Sequence, residues 1–230
     1  MTIAERYRAL ADEVVREAIR AGRDSQAVKL IAVSKTVGPD AVAEAIHAGA
    51  QAFGENRPDQ IMDKQPRFPE AEWHFIGNIQ SRRIKDIVPH ATLIHSVFEE
   101  SHLARIDRAA AAIDKVQDIL IEVNVSGEAS KGGAAPDDVA SLIDACRNLS
   151  HIRVRGLMTM APQGDLQVAE ETFAHLAALK NKLVASLDAD IAVHLSELSM
   201  GMSEDWRCAI KQGATMVRIG RAIFSDQFAE

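Results

Sequence analysis

Lys35 closes the apolar run Leu30-Ile31-Ala32-Val33-Ser34-Lys35-Thr36, and near the other end of the chain stands Val217-Arg218-Ile219-Gly220-Arg221. An amine delivered where a buried strand ends, together with an Arg-x-Gly turn after another strand, suits a phosphorylated aldehyde held by its two ends. The amine can condense with the carbonyl, and the glycine turn lets a phosphate approach backbone N–H groups. Pyridoxal phosphate is the cofactor to which this pairing points. Spacing alone leaves two readings of Lys35. Burial can disfavour the ammonium and prepare a Schiff-base nucleophile, or the side chain can simply emerge into solvent as the strand stops.

Further residues gather around the same chemistry. Ser199-Met200-Gly201-Met202-Ser203 precedes Glu204-Asp205-Trp206, a pattern that predicts Ser203 as the N-cap of a helix with acidic residues in its first turn. Exposed amides there, with the Gly220-Arg221 turn, suit an anion as well as an ordinary cap and turn. Strand alternation points Arg218 inward, where a guanidinium needs an acceptor. The acceptor can be a pyridine nitrogen, or a carboxylate such as Glu122 or Glu197. Lys131 lies in the glycine-flanked loop Ser126-Gly127-Glu128-Ala129-Ser130-Lys131-Gly132-Gly133 and reads either as a second amine over the site or as a solvated loop lysine. His74 and His95 have no regularly spaced partner and fit satisfied core or rim histidines as well as catalytic ones. No metal-ligand spacing occurs, so no metal is expected. Met158, Met160, Met200 and Met202 read as pocket wall.

The elements that must position these groups alternate. Short β-branched runs are predicted as strands at 29–34, 52–54, 74–77, 92–97, 118–125, 154–158, 192–198 and 216–219, with helical patterns between them at 40–48, 58–64, 81–87, 101–113, 137–148, 166–187 and 203–212. Ile3, Tyr7, Leu10, Val14 and Ala18 form one apolar stripe on an additional N-terminal helix ending near Gly22. Strand–helix alternation implies right-handed crossovers and a parallel sheet, and eight such units suit a closed (β/α)8 TIM barrel better than an open doubly wound sheet. Chemistry in such barrels collects at the C-terminal strand ends, with phosphate often beside the seventh and eighth strands.

Bulk properties narrow the classes. The 230 residues are 47% hydrophobic and 26% charged, which suits one barrel domain over residues 1–230. A net charge of -7 and 4% aromatic residues give a nucleic-acid partner neither a basic stripe nor a stacking platform. Cys146 and Cys208 sit far apart in helical contexts and read as buried thiols of a reducing compartment. No apolar stretch is long enough to span a bilayer and no signal-peptide core is present, so the expected location is cytoplasmic.

With these blocks in order, the chain resembles the pyridoxal phosphate homeostasis protein family, similar in fold to the N-terminal barrel of alanine racemase. Ala32-Val33-Ser34-Lys35, Phe53-Gly54-Glu55-Asn56-Arg57, Trp73-His74-Phe75-Ile76-Gly77-Asn78-Ile79-Gln80, Ile94-His95-Ser96, Gly156-Leu157-Met158-Thr159-Met160, Leu198-Ser199-Met200-Gly201-Met202-Ser203 and Val217-Arg218-Ile219-Gly220 carry the resemblance across essentially the whole chain. It implies that Lys35 forms the Schiff base with pyridoxal 5'-phosphate and that Arg218 faces the ring nitrogen. It further implies that Met202-Ser203 with Gly220-Arg221 hold the phosphate, that Asn56, Met158 and Ser199 line the ring, and that Lys131 is the loop lysine implicated in cofactor handling. The chain departs from the family pattern at Phe98, usually Asp, at Arg82-Arg83, usually Asn-Lys, and at Ser225, usually Gly, which affects rim details and any second anion site.

Carrier and enzyme are the two functional classes to separate. Alanine racemase takes its second proton-transfer base, a tyrosine, from an additional β domain of the partner subunit. The one tyrosine here, Tyr7, falls on the packing stripe of the first helix. The expectation is a monomeric, non-catalytic protein that stores, buffers or delivers the cofactor, with PLP-dependent apo-enzymes as partners. The alternatives are a PLP-dependent amino-acid racemase or other barrel enzyme of that class, and an aldolase-like use of Lys35 on another phosphorylated aldehyde.

Overall fold

The computed structural model describes residues 1–128 and 132–228. Eight strands, β1 (Lys29–Val33), β2 (Ala52–Glu55), β3 (Glu72–Phe75), β4 (Leu93–Val97), β5 (Gln117–Glu122), β6 (Ile152–Met158), β7 (Glu197–Ser199) and β8 (Met216–Ile219), pair in parallel and in chain order. The β1–β8 pairing, from Lys29 opposite Met216 to Ala32 opposite Ile219, closes the barrel. The helices are α1 (Ile3–Arg20), α2 (Pro39–His47), α3 (Pro58–Lys64), α4 (Ile84–Ile87), α5 (Glu100–Ala111), α6 (Val139–Ala145), α7 (Leu166–Ser186), α8 (Ala189–Ala192), α9 (Trp206–Lys211) and α10 (Arg221–Phe224). A capping box between Thr2 and Glu5 starts α1, whose buried stripe Tyr7, Leu10, Val14 and Ala18 packs it against α2, α9 and α10.

Side-chain alternation splits each strand between two environments. Phe53, Trp73, Phe75, Ile94, Ile119, Ile121, Leu157, Val217 and Ile219 face the helices in the large outer core, where Phe53 stacks on Trp73 at 5.3 Å. A smaller inner cluster of Ile31, Ala52, Leu93, Leu120, Met158 and Met216 fills the barrel itself.

The seventh strand differs most from the sequence expectation. The run 192–198 begins as the last residue of α8, and only Glu197–Ser199 joins the sheet. Ile191 and Ala192 donate to Asp188 O and Val193 donates to Ala189 O, so this stretch satisfies its backbone locally, and Val193 is 70% exposed. The fifth strand stops at Glu122 rather than 125, because Asn124 N–H and Ala134 N–H turn to each other's segment and tie the loop back on itself.

Two polar assemblies interrupt the apolar interior. In the first, Lys64 from α3 reaches under the end of β1: its Nζ donates to Glu55 Oε1 at 2.6 Å and to Ser34 O at 2.9 Å, while Ser34 Oγ donates to the same carboxylate oxygen at 2.6 Å. Both charged side chains are essentially inaccessible, at 1% and 0%. In the second, a polar column runs the length of the barrel. Arg218 Nη1 meets Ser199 Oγ at 2.6 Å, Ser199 Oγ meets His95 Nδ1 at 2.8 Å, His95 Nε2 meets His74 Nδ1 at 2.8 Å, and His74 Nε2 faces Glu72 Oε2 at 3.4 Å. Lys29 also contacts that carboxylate at the opposite barrel end. The two histidines are therefore each other's partner. Adjacent strands deliver them, so no short spacing in the sequence announces the pair.

These assemblies set stability. Lys64→Met leaves the Glu55 carboxylate buried without its cation and is expected to cost about 3–5 kcal/mol by urea denaturation, whereas pairing it with Glu55→Leu recovers most of the loss. Burial holds the His74 imidazole below its ordinary value and His95 well below it. The unfolded chain thus binds more protons than the folded one as pH falls below about 6.5. The thermal midpoint is expected to be flat above neutrality and to fall as pH drops from 7 to 5, with a shallower fall in His95→Gln. A midpoint that rose on acidification would contradict the neutral pair.

Candidate functional site

The C-terminal strand ends converge on a cavity of about 380 Å³ lined by Lys35, Asn56, Met158, Met202, Ser203, Arg218, Gly220 and Arg221, among others. Its size lies within the range of small-ligand sites. Each wall has a local reason for its position.

Lys35 stands two residues beyond β1, in a turn closed by Val37 N–H to Ser34 O at 3.1 Å. Ser34 takes the last buried place and Lys35 is exposed at the mouth. Of its two readings, this side chain takes the one that emerges into solvent, because the sheet ends at Val33 and the Lys64–Glu55 clamp grips Ser34 instead. That clamp fixes both the carbonyl and the hydroxyl of the residue preceding Lys35. Asn56 follows β2, and its backbone lies against Gly77: a Cβ at Gly77 would sit 2.0 Å from Asn56 O. Only glycine permits the loops after β2 and β3 to touch there.

Arg218 is 4% exposed and lines the cavity floor. Its Nη2 donates to Thr159 O at 3.0 Å and its Nη1 to Ser199 Oγ. No ion pair forms with Glu122 or Glu197 among the described residues. Glu197 instead accepts from Thr215 Oγ1 at 2.6 Å. Burial lowers Arg218 to about 10, opposed by the Asp205 and Glu122 carboxylates, so it is cationic at neutral pH. Ser199 is fully buried beneath Arg218 and stands outside the cavity wall, with its hydroxyl engaged by Arg218 and His95. Met158, 1% exposed, supplies apolar wall.

The segment after β7 crosses close to α9. Gly201 has φ +93°, and a Cβ there would lie 2.6 Å from Ala209 Cβ. Ser203 does not cap the following helix as expected. Asp205 occupies the cap position of α9, which starts at Trp206, and its Oδ1 accepts from Met202 N–H at 2.6 Å. The segment 202–205 thereby forms its own turn, with Asp205 N–H on Met202 O at 3.2 Å. Burial raises the Asp205 carboxyl. Ser203 is thus 5% exposed at the cavity with no protein partner for its hydroxyl among the described residues. The backbone N–H groups of Ser203 and Gly220 likewise meet no backbone acceptor among the described residues. Arg221 lines the rim, its guanidinium held by Glu204 at 2.8 Å. A carbonyl-reactive amine, a buried cation on the floor and free N–H and O–H donors beside β7 and β8 suit a ligand with an aldehyde at one end and an anion at the other.

Other sequence assignments separate from this site. Lys131 lies outside the described residues. Cys146 and Cys208 are free thiols, half-buried rather than buried, and burial raises Cys146 to about 12. Arg83 is occupied by Asp59 and Asp86 at 2.5 and 2.6 Å, and Arg82 is exposed. Phe98 packs over Gly132 beside Glu122. Ser225 ends α10 with its N–H on Arg221 O. Among the described residues no group of three or more His, Cys, Asp or Glu could hold a metal ion, and no helix is long and apolar enough to cross a membrane. Thr159, Glu72 and Lys64 were not singled out by sequence. Their contacts join residues far apart in the chain, and only the inward parity of a strand position hinted at the column.

Comparison with known proteins identifies the family and the fold. The family described as alanine racemase, N-terminal domain, matches residues 9–227. A pyridoxal phosphate homeostasis protein of Aquifex aeolicus is 36% identical over 99% of both chains, and one of Pseudomonas aeruginosa is 40% identical over 97% of this chain and 95% of its own. Among solved structures, PipY of Synechococcus elongatus, 32% identical and covered over 97% of this chain and 100% of its own, superposes with a TM-score of 0.86 without PLP and 0.82 with PLP bound. A closed parallel barrel, a cavity at its C-terminal mouth and full-length relatives of one kind lead to one assignment: the chain belongs to the pyridoxal phosphate homeostasis protein family, built on the alanine racemase N-terminal-domain barrel.

Proposed function

We propose that this protein holds pyridoxal 5'-phosphate at the barrel mouth, through a Schiff base on Lys35, and serves intracellular cofactor homeostasis as a carrier without turnover. The observation that supports it most is the pairing of Lys35 with unpartnered donors of Ser203 and Gly220 across one cavity whose floor is Arg218. Bound there, the cofactor supplies an aldehyde for amines and an electron-withdrawing ring. The chain's own residues do the rest. Lys35 provides the amine, and the clamp beneath Ser34 steadies its turn. Ser203 and Gly220 bind the phosphate, with Met202 and Arg221 closing that end. Asn56 and Met158 flank the ring, while Ser199 acts from below through Arg218.

Arg218 supports the carrier reading over the enzyme. The ring nitrogen would accept from a permanently charged guanidinium, whose charge opposes a pyridinium that a carboxylate partner would stabilise, so the nitrogen stays unprotonated and the ring is a weaker electron sink. Tyr7, which would be needed as an opposite-face base, is instead 7% exposed in the core under α1. The proposed carrier is a monomeric cytoplasmic protein, a single barrel over residues 1–230, that passes the cofactor to PLP-dependent apo-enzymes. Lys131 is proposed to assist that handover.

Three outcomes are expected. Lys35→Ala keeps its far-ultraviolet circular dichroism and loses the borohydride-reducible visible band. A retained band would move the attachment site. Ser203→Ala weakens binding of the phosphate ester by roughly 1–3 kcal/mol while leaving unphosphorylated pyridoxal nearly unaffected, as titration of both ligands would reveal. Chiral chromatography of alanine and serine after long incubation with stoichiometric loaded protein shows no sustained turnover, while the same protein reactivates a PLP-dependent apo-enzyme. Multiple turnovers abolished by Lys35→Ala would establish an enzyme instead.

A further inference from the structure

The column below Arg218 has a direction that its chemistry dictates. Arginine offers only donors, so Ser199 Oγ accepts from Arg218 Nη1 at 2.6 Å. The Ser199 hydroxyl proton then has one remaining partner, His95 Nδ1 at 2.8 Å, which must accept. A neutral His95 carries its proton on Nε2 and donates to His74 Nδ1 at 2.8 Å. A neutral His74 in turn carries its proton on Nε2, towards Glu72 Oε2 at 3.4 Å. The opposite direction would set an imidazole lone pair against the Glu72 carboxylate and leave the Ser199 proton without an acceptor. Burial keeps both imidazoles neutral, and the charge of Arg218 opposes a proton on His95 as well.

We infer that Ser199, His95, His74 and Glu72 are positioning residues for Arg218, a one-way donor chain from the cavity floor to a carboxylate at the opposite barrel end that orients the guanidinium. Glu72 is the terminal acceptor. It is the first residue of β3, its side chain is 42% exposed, and Lys29 at the start of β1 braces it. Neighbouring dipoles in such a chain polarise one another, so the charge at its foot orders the hydroxyl and the two rings above it. The consequence for the cofactor rests on the proposed contact between Arg218 and the ring nitrogen. The order of the chain does not.

The test uses the full-length protein labelled with 15N-histidine and 15N-arginine, first without cofactor at pH 8. His74→Asn and His95→Asn assign the two imidazoles. Both rings are expected as Nε2–H tautomers, with slow rotation of the Arg218 guanidinium. Glu72→Ala should leave the His74 Nε2–H without its acceptor, loosen that ring and speed that rotation, and Glu72→Gln, which retains an acceptor oxygen, should restore most of the order. After loading with pyridoxal 5'-phosphate, Glu72→Ala should shift the visible band and weaken binding roughly two- to tenfold, the effect of one lost hydrogen bond, with rescue by Glu72→Gln. A proton on His95 Nδ1 in the unsubstituted protein, or Arg218 rotation indifferent to Glu72→Ala, would overturn the inference. Failure of the unsubstituted protein to bind the cofactor would refute the proposed function alone, because the tautomer and rotation measurements need no ligand.

Discussion

A guanidinium enclosed by a barrel is the constraint around which the interior is arranged. Arg218 is 4% exposed and has no carboxylate within ion-pair distance among the described residues. A buried charge without acceptors costs far more than a domain's usual stability margin allows. The structure answers with neutral acceptors, Thr159 O and Ser199 Oγ, and with a line of oriented groups that ends on Glu72. A carboxylate in direct contact would neutralise the cation more completely, but it would also compete for the N–H groups that face the cavity. Placing the hydrogen-bonded negative charge at the far end leaves that face available.

This arrangement explains why the barrel core is not uniformly apolar. Ile31, Ala52, Leu93, Leu120, Met158 and Met216 pack the inner layer, and the polar column threads the same space because β3, β4, β7 and β8 each contribute a polar residue on the inward side. The Lys64–Glu55–Ser34 clamp does a comparable task at the edge of the mouth. It is buried and charged, and it restrains the backbone immediately before an exposed lysine. Rigid polar anchors below and exposed reactive groups above are the pattern expected where geometry must be held by neighbours rather than by the reactive group itself.

Much of this was legible in the chain. The alternation of β-branched runs with amphipathic stretches located all eight strands, and strand parity put Arg218 on the inward side. The failures have physical causes. Residues 192–198 alternate like a strand, yet Asp188 and Ala189 supply carbonyls that close a helical turn over its first residues. Ser203 has a cap-like neighbourhood, yet Asp205 captures Met202 N–H and displaces the helix start.

By itself, then, the sequence determined the barrel, the strand ends at which chemistry would gather, and the residue types at each of them, because periodicity and turn chemistry act over a few residues. It could not decide which groups would meet. His74 and His95 are 21 positions apart, Ser199 and His95 are 104 apart, and Lys64 reaches back 30 to Ser34. Such contacts depend on the closure of β1 on β8 and on the stagger of each strand. Tertiary structure alone therefore decided that Arg218 would rest on Ser199 rather than on Glu122 or Glu197, since hydrogen bonds require a separation near 3 Å and a direction, and neither is encoded in local pattern.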